Sequence, residues 1–544
     1  MSGKSRVMGA AFPAAPSFKI LAVAVPLFLV SVLALTCPAF GSTRYIAQSA
    51  GTFSGGAACN GQTAITPSTW NSTAESPGDV SYVCGTISGV AGQILLNVSW
   101  SGSSGDPISI IFDTGAVLTS PAWSANGAIN TYGVNNIVIN GGTNGIIENT
   151  ANGTGLSYNQ QTTGVAVQGG ASGITIKNLT IKHLCMRKAD DPGVTCEGSG
   201  DFSTDITVYT SNGDTYSNIS IIGNTLSDAY AGIYFHGTAS DTNILIQHNT
   251  IRTNNWGFAT DGTNDLTVDG NDIACVVGAI CNWDDTADDN HHDGIFVFPQ
   301  SFPMKVVAVS NNWVHDFIGN TTALYFNDPG GSGSSESGTV FYNNVFSTTS
   351  GQTGPANGDL LPPAGSTIVN NTFFGPTECS VKLDNSDTFE NNVVSSASHY
   401  GVCVTGSGDT FKYQDYFNTA SGWGDDASNI FASLPAWQAG STGMCSGGCD
   451  VTGSLVSDPK LSSSFMLGSG SAASGAGANL SSLGISGLSQ GAPQYFGAIY
   501  ACGTGCLPRP SSGTWDMGAY PSGSSSSGTK PNPPTNLTGT IVTN

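Results

Sequence analysis

The sequence predicts an all-β fold, a parallel β-helix of roughly 21–25-residue coils with a cap at each end. Three observations carry the prediction. The 544 residues include 72 glycines, and only 10% are charged, against roughly 25% in an ordinary soluble domain. Such a chain is poor in helix formers and rich in turn formers. Between about residues 105 and 415 one phrase returns: apolar-x-apolar-x-(Gly/Asn)-Asn-x-apolar, then a loop, then Gly-apolar-x-apolar. Its key asparagines, Asn224, Asn249, Asn271, Asn312, Asn344, Asn371 and Asn392, are 25, 22, 41, 32, 27 and 21 residues apart, so loop insertions lengthen some units.

The alternating apolar positions of each phrase mark strands of three to five residues with one buried face. Strands this short cannot enclose a core alone, but stacked coil on coil they share a continuous interior. The recurring asparagine tolerates a left-handed turn, and its amide can bond the equivalent asparagine one coil away. A propeller blade needs about four strands and 40–45 residues, which the spacing does not supply. Neither the helices nor the consensus of a leucine-rich repeat is present.

The two ends differ from this middle. Lys4, Arg6 and Lys19 precede the apolar run Ile20 to Leu35, and Ala39-Phe40-Gly41 is a small-x-small exit. This reads as a signal peptide over residues 1–41, with an uncleaved anchor as the alternative. Removing it takes away three cations, so the formal charge of −22 becomes −22 − 3 = −25. With no basic surplus, nucleic-acid binding is excluded. Residues 42–104 read as an N-terminal cap with the first coils, 105–415 as the core, and 416–520 as the last coils and cap. The Ser/Gly/Pro-rich stretch 521–544 reads as a linker or tail. The expectation is a secreted monomer that does not engage the membrane once the signal is cleaved.

The 13 cysteines become twelve without Cys37. They fall into close pairs: Cys59/Cys84, Cys185/Cys196, Cys275/Cys281, Cys379/Cys403, Cys445/Cys449 and Cys502/Cys506. An even count behind a signal peptide reads as disulfides, although spacing alone leaves their connectivity open.

The phrases SNISIIGNTLSDAYAGIYFHG and TNILIQHNTIRTNNWGFATDG resemble the right-handed parallel β-helix repeats of the pectin-lyase-like superfamily. Gly513-Thr-Trp-Asp-Met-Gly-Ala-Tyr520 resembles the DIGAYE-like ending of bacterial secreted β-helix proteins. The resemblance covers roughly residues 42–520. It implies the handedness of the coil and a polysaccharide or surface glycan as partner, with lyases, hydrolases and non-enzymatic adhesins all represented.

Function in a solenoid belongs where loops are long and polar side chains gather. The longest insertion, Asn271 to Asn312, holds Asp284, Asp285, Asp288, Asp289 and Asp293 with His291 and His292. Crowded carboxylates repel unless a cation joins them, so Asp284, Asp285, Asp288 and Asp289 are candidate calcium ligands. A solvated acidic loop pinned by Cys275/Cys281 is the alternative. His291, His292 and Asp293 are candidate acid–base groups. Aligning Gly232-Ile-Tyr-Phe-His236 with Gly257-Phe-Ala-Thr-Asp261 points Tyr234, His236 and Asp261 outward and puts His236 and Asp261 within reach across one coil. That makes them a second catalytic candidate. Arg187 and Arg252 are candidate carboxylate binders, and Tyr234, Trp256, Trp283 and Trp313 are candidate sugar platforms. The predicted activity is cleavage of glycosidic bonds, by elimination or hydrolysis, in a surface groove; the alternative is a non-catalytic glycan-binding β-helix.

Overall fold

The computed structural model describes residues 41–522, apart from 189–190, 192–195, 197–201, 211–212, 276–280, 282, 284–291, 299–304, 320, 328–337, 350–351, 420–422, 426–429, 440–451 and 493–507. All described residues belong to one compact unit that begins at Gly41. The signal-peptide expectation, the pairs Cys445/Cys449 and Cys502/Cys506, and nearly all of the tail lie outside them.

The chain is a parallel β-helix. A representative coil runs from Thr242–Gln247 through a tight turn to Thr250–Arg252, then through a corner to Trp256–Gly262. Each strand pairs in parallel with its equivalent in the next coil. The first two strands of the coils merge into a 23-stranded sheet, and the third strands form a separate 9-stranded sheet. Stacking begins at Thr43–Ile46, inside the region expected to be a cap, and continues to Asp415–Phe417. Inward side chains form one continuous core. Ile233, Phe235, Phe258, Ile295, Val297, Leu324 and Phe326 belong to it, as the alternation requires.

The asparagine turn separates two tasks that the sequence reading assigned to one residue. The left-handed conformation belongs to the preceding position, Gly223, His248, Gly270, Asn311, Asn343, Asn370 and Asn391, with φ between 54° and 65°. The key asparagines themselves are buried and face inward. Asn249 Nδ2 donates to Ile221 O at 2.9 Å and to Asn271 Oδ1 at 3.0 Å. Its Oδ1 accepts from the Asn224 backbone N–H and from Asn224 Nδ2, both at 3.0 Å. The same pattern runs through Asn271, Asn312, Asn344, Asn371 and Asn392 to Gln414, whose longer side chain accepts at 3.2 Å. The ladder satisfies backbone groups that the tight turn would otherwise bury unpaired.

The outward asparagines of the later coils anchor the C-terminal segment. Asn343 Nδ2 donates to Gln490 O, Asn370 Nδ2 to Asp516 O, and Asn391 Nδ2 to Ala478 O. Arg509, buried against Trp515, donates to Asn343 Oδ1 at 2.8 Å and to the carbonyls of Leu488, Gln490, Gly518 and Ala519. Leu480, Leu488 and Trp515 cover Tyr342 and Val369. At the other end, the short helix Pro67–Asn71 seats Trp70, whose Nε1 donates to Glu75 and Ser81. Disulfides join Cys59–Cys84, Cys185–Cys196, Cys275–Cys281 and Cys379–Cys403. Among the described residues no helix is long and apolar enough to cross a membrane.

Candidate functional site

The outer face of the 9-stranded sheet carries the site. Parallel pairing sets Tyr132, Gln168, Tyr209 and His236 side by side on four successive coils. In the next coil the register slips: Phe235 pairs with Thr260, but His236 pairs with Gly262. Asp261 is the extra residue of this bulge. A bulge re-aims a side chain, and here the carboxylate of Asp261 meets the imidazole of His236, Nδ1 to Oδ1, at 2.6 Å. The predicted contact is present, but through a bulge instead of the regular alternation assumed for it.

Three features hold the imidazole. Asp261 is buried to 6% exposure and fixes Nδ1, whereas His236 keeps 29% of its side chain exposed. Tyr209 stacks on the ring with centroids 4.9 Å apart, and Tyr234 lies roughly parallel at 6.5 Å. The bond to Asp261 raises the His236 pKa above its ordinary value, against the opposing effect of burial. The opposite ring nitrogen, Nε2, is the one left for proton transfer.

A groove of about 480 Å³ surrounds the pair, lined by Tyr209, Tyr234, Trp256, Phe202, Phe298 and the hydroxyls of Thr204 and Thr207 among others. It shares Asn126, Gln168 and Tyr209 with a second groove of about 660 Å³, which reaches Tyr132, Asn130 and Asn97. The two make one trough along the sheet. On the side of the later coils the wall is aromatic: Trp256 packs on Phe202 at 5.1 Å and on Phe296 at 5.1 Å, and Phe296 on Tyr325 at 5.6 Å.

No protein-family model matches the chain, and no curated protein does. Among solved structures it is similar to the pectate lyase Pel9A, at 17% identity and a TM-score of 0.42 over 89% of this chain and 97% of that one. It is also similar to the GH136 lacto-N-biosidase from Eubacterium ramulus, at 12% identity and a TM-score of 0.44 over 76% and 67%. A rhamnogalacturonan lyase matches at 13% identity and 0.43 over 61% and 82%. The likeness is one of fold.

Of the residues singled out from sequence, the trough gathers Tyr234, His236, Trp256 and Asp261. Asp284, Asp285, Asp288, Asp289 and His291 lie outside the described residues. His292 and Asp293 are buried at the corner entering the third strand. There His292 Nε2 contacts Ile318 O at 2.5 Å, and Asp293 Oδ1 accepts from the Thr322 N–H at 3.0 Å. His292 also lies close to both sulfurs of Cys275 and Cys281. Those sulfurs are joined in a disulfide and offer no thiolate to a metal.

The remaining candidates pack elsewhere. Trp283 is buried, donating to Thr253 O at 3.0 Å, with the Arg187 guanidinium 4.6 Å above its ring. Arg252 belongs to the second strand of its coil, where it pairs with Asp272 at 2.5 Å. Trp313 stacks on His315 at 3.7 Å and meets Phe465 of the C-terminal segment.

Sequence reasoning missed Tyr209, Gln168 and Tyr132, because the coils before Asn224 lack the asparagine phrase that set the alignment. The alternation in Ile206-Thr-Val-Tyr209 was the available signal: laid against Ile233-Tyr-Phe-His236, it puts Tyr209 beside His236.

Proposed function

We propose that the chain is a secreted polysaccharide-acting protein that cleaves glycosidic bonds in the trough over the 9-stranded sheet, with His236 as the proton-transfer group and Asp261 as its positioning partner. One observation carries this reading: a partly exposed histidine, held at Nδ1 by a nearly buried carboxylate, stands inside an aromatic-walled trough. Trp256, Tyr234 and Tyr209 offer flat amphipathic faces to sugar rings. Asp261 fixes the ring and stabilises the imidazolium that forms when Nε2 takes a proton, as the carboxylate does in other His–Asp pairs. From water, that proton leaves a nucleophile for the anomeric carbon; from a carbon beside a uronate carboxylate, it starts an elimination. Four disulfides and the leader-like N-terminus support passage through an oxidising compartment.

The experiment is a panel of polysaccharides incubated with purified protein and with His236→Ala, read for new reducing ends and for unsaturated products. Turnover by the wild type that His236→Ala loses by about 10²-fold or more supports the reading. Equal turnover by both removes His236 from the chemistry. Parallel runs with and without chelator test calcium at the Asp284–Asp289 loop.

A second reading, glycan binding without cleavage, is favoured by one observation. Asp261 is the only carboxylate among the described residues that line the trough, whereas most glycoside hydrolases use a pair. Retention of a polysaccharide without product on the whole panel would select it.

A further inference from the structure

We infer that the trough takes a neutral glycan lying along the solenoid axis, and that Tyr132 is a sugar platform remote from His236 that sets a preference for long chains. The inference rests on the proposed reading for its substrate class and adds charge, direction and a specificity-determining residue.

Charge comes first. No lysine or arginine is among the described residues lining either part of the trough, and the chain as a whole carries −22. A polyuronate laid there would meet Asp261 with only the His236 imidazole to offset its carboxylates. What the trough does offer is neutral amide. Asn130 Nδ2 donates to Gln168 Oε1 at 3.1 Å and to Asn126 O at 3.0 Å, and Gln168 Nε2 donates to Asn126 Oδ1 at 3.1 Å. Asn130 is buried and serves to order the more exposed Asn126 and Gln168 amides, which present both donors and acceptors, the complement of sugar hydroxyls. A neutral ring has no carboxylate to acidify a neighbouring C–H, which leaves hydrolysis as the chemistry: water loses its proton to His236 Nε2, its oxygen bonds to the anomeric carbon as the bond from that carbon to the glycosidic oxygen breaks, and the departing oxygen takes a proton from solvent water.

Direction follows from register. Tyr132 and His236 occupy the same column, three coils apart, so a chain joining them runs parallel to the axis over about 14 Å. That is more than one sugar unit. Tyr132 is 60% exposed, the one aromatic ring among the exposed large apolar side chains of the described residues. Its ring is nonetheless held in place. It lies over Gly169, where even an added Cβ would come within 3.0 Å of the tyrosine Cε1. A flat aromatic face, exposed but supported from below, is the geometry that stacks on a sugar ring.

The test measures binding, so it does not depend on turnover. Neutral oligosaccharides from disaccharide to octasaccharide, and matched uronate oligomers, are titrated against wild type and Tyr132→Ala. Expected are binding confined to the neutral series, affinity rising with length, and a loss of up to about tenfold in Tyr132→Ala for the long oligomers only. Tyr132→Trp restores them. Uronate oligomers binding as well as or better than neutral ones, no binding by either series, or long oligomers bound equally by Tyr132→Ala would each overturn the inference. Binding as expected with no hydrolysis by the wild type would sink the cleavage reading and leave the platform standing.

Discussion

Asn254 reaches past the bare Cα of Gly232 to hydrogen-bond Asp205 in the next coil but one, with Nδ2 3.0 Å from Oδ2. Gly164, Asp205, Gly232 and Gly257 occupy equivalent places ahead of the first inward residue of the third strand, with Asp359 further along the same column. The absence of a side chain at 232 is therefore a packing requirement. In Gly232→Ala the new Cβ would stand 2.7 Å from both Gly257 O and Ile251 Cγ2, and 3.1 Å from the Asn254 amide. Overpacking of this kind costs about 1–3 kcal/mol. A lower urea midpoint with unchanged slope is the expected result.

Asp205 and Asp359 also make stability depend on pH. Burial raises both pKa values well above the ordinary carboxylate value, and it pushes Asp387 up to about 7 and Asp409 and Asp415 up to about 6. A raised acid binds its proton more tightly when folded. Its stabilising contribution is complete below the unfolded value of about 3.9 and is drawn down as pH rises towards the folded one. Asp79 and Asp272, held at about 2 by Arg44 and Arg252 with further hydrogen bonds, act in the opposite sense, and their contribution is lost as pH falls below about 4. Stability is expected to peak at about pH 4 and to decline above it. Asp205→Asn should flatten the decline on the alkaline side, as measured by urea unfolding at pH 5 and pH 8.

Asp261→Asn separates the two members of the dyad. The substitution keeps the bulge and the size of the side chain but removes the charge that raises the His236 pKa. Expected are glycan binding within about twofold of wild type, turnover reduced by about 10²-fold or more, and a pH–rate limb for His236 displaced to lower pH. An unmoved limb would dissociate Asp261 from the titration of His236.

Asn271→Ala represents truncation at an interior rung of the ladder. It removes the donor to Ile246 O and Asn312 Oδ1, and the acceptor of the Asn249 N–H and amide. Leaving such groups buried and unpaired costs about 1–3 kcal/mol each. The fully buried site leaves little room for water to replace them. Thermal unfolding of Asn271→Ala beside the exposed control Ser240→Ala gives the comparison.

The coil was legible because a solenoid repeats its physics: the same alternation and the same asparagine recur wherever the same turn does. The outward placement of Tyr234 and His236 follows from local alternation, and the close cysteine pairs are visible as neighbours in sequence. Other features depended on information outside the repeat. The bulge at Asp261 is a slip of register between two coils, and nothing within Gly257-Phe-Ala-Thr-Asp261 marks it. Trp283 packs against Thr253 and Arg187, and Trp313 against Phe465 of a C-terminal segment, all distant in sequence. Tyr132 and Tyr209 lie in coils whose turns use other residues, so the asparagine phrase could not bring them into the column.

The strap formed by Arg509 and its neighbours closes contacts of a different range from all the rest. Coil stacking joins residues 21 to 41 positions apart along the ladder, whereas Arg509 reaches Asn343 across 166 residues and Asn343 reaches Gln490 across 147. During synthesis the coils can assemble one at a time as they emerge, each on the template of the last. The strap has no binding surface until the coils carrying Asn343, Asn370 and Asn391 are stacked, and it is itself made after them. Its docking registers that assembly is complete, and a chain stalled or truncated before Arg509 would leave those asparagines and the apolar surface at Tyr342 and Val369 open to other chains.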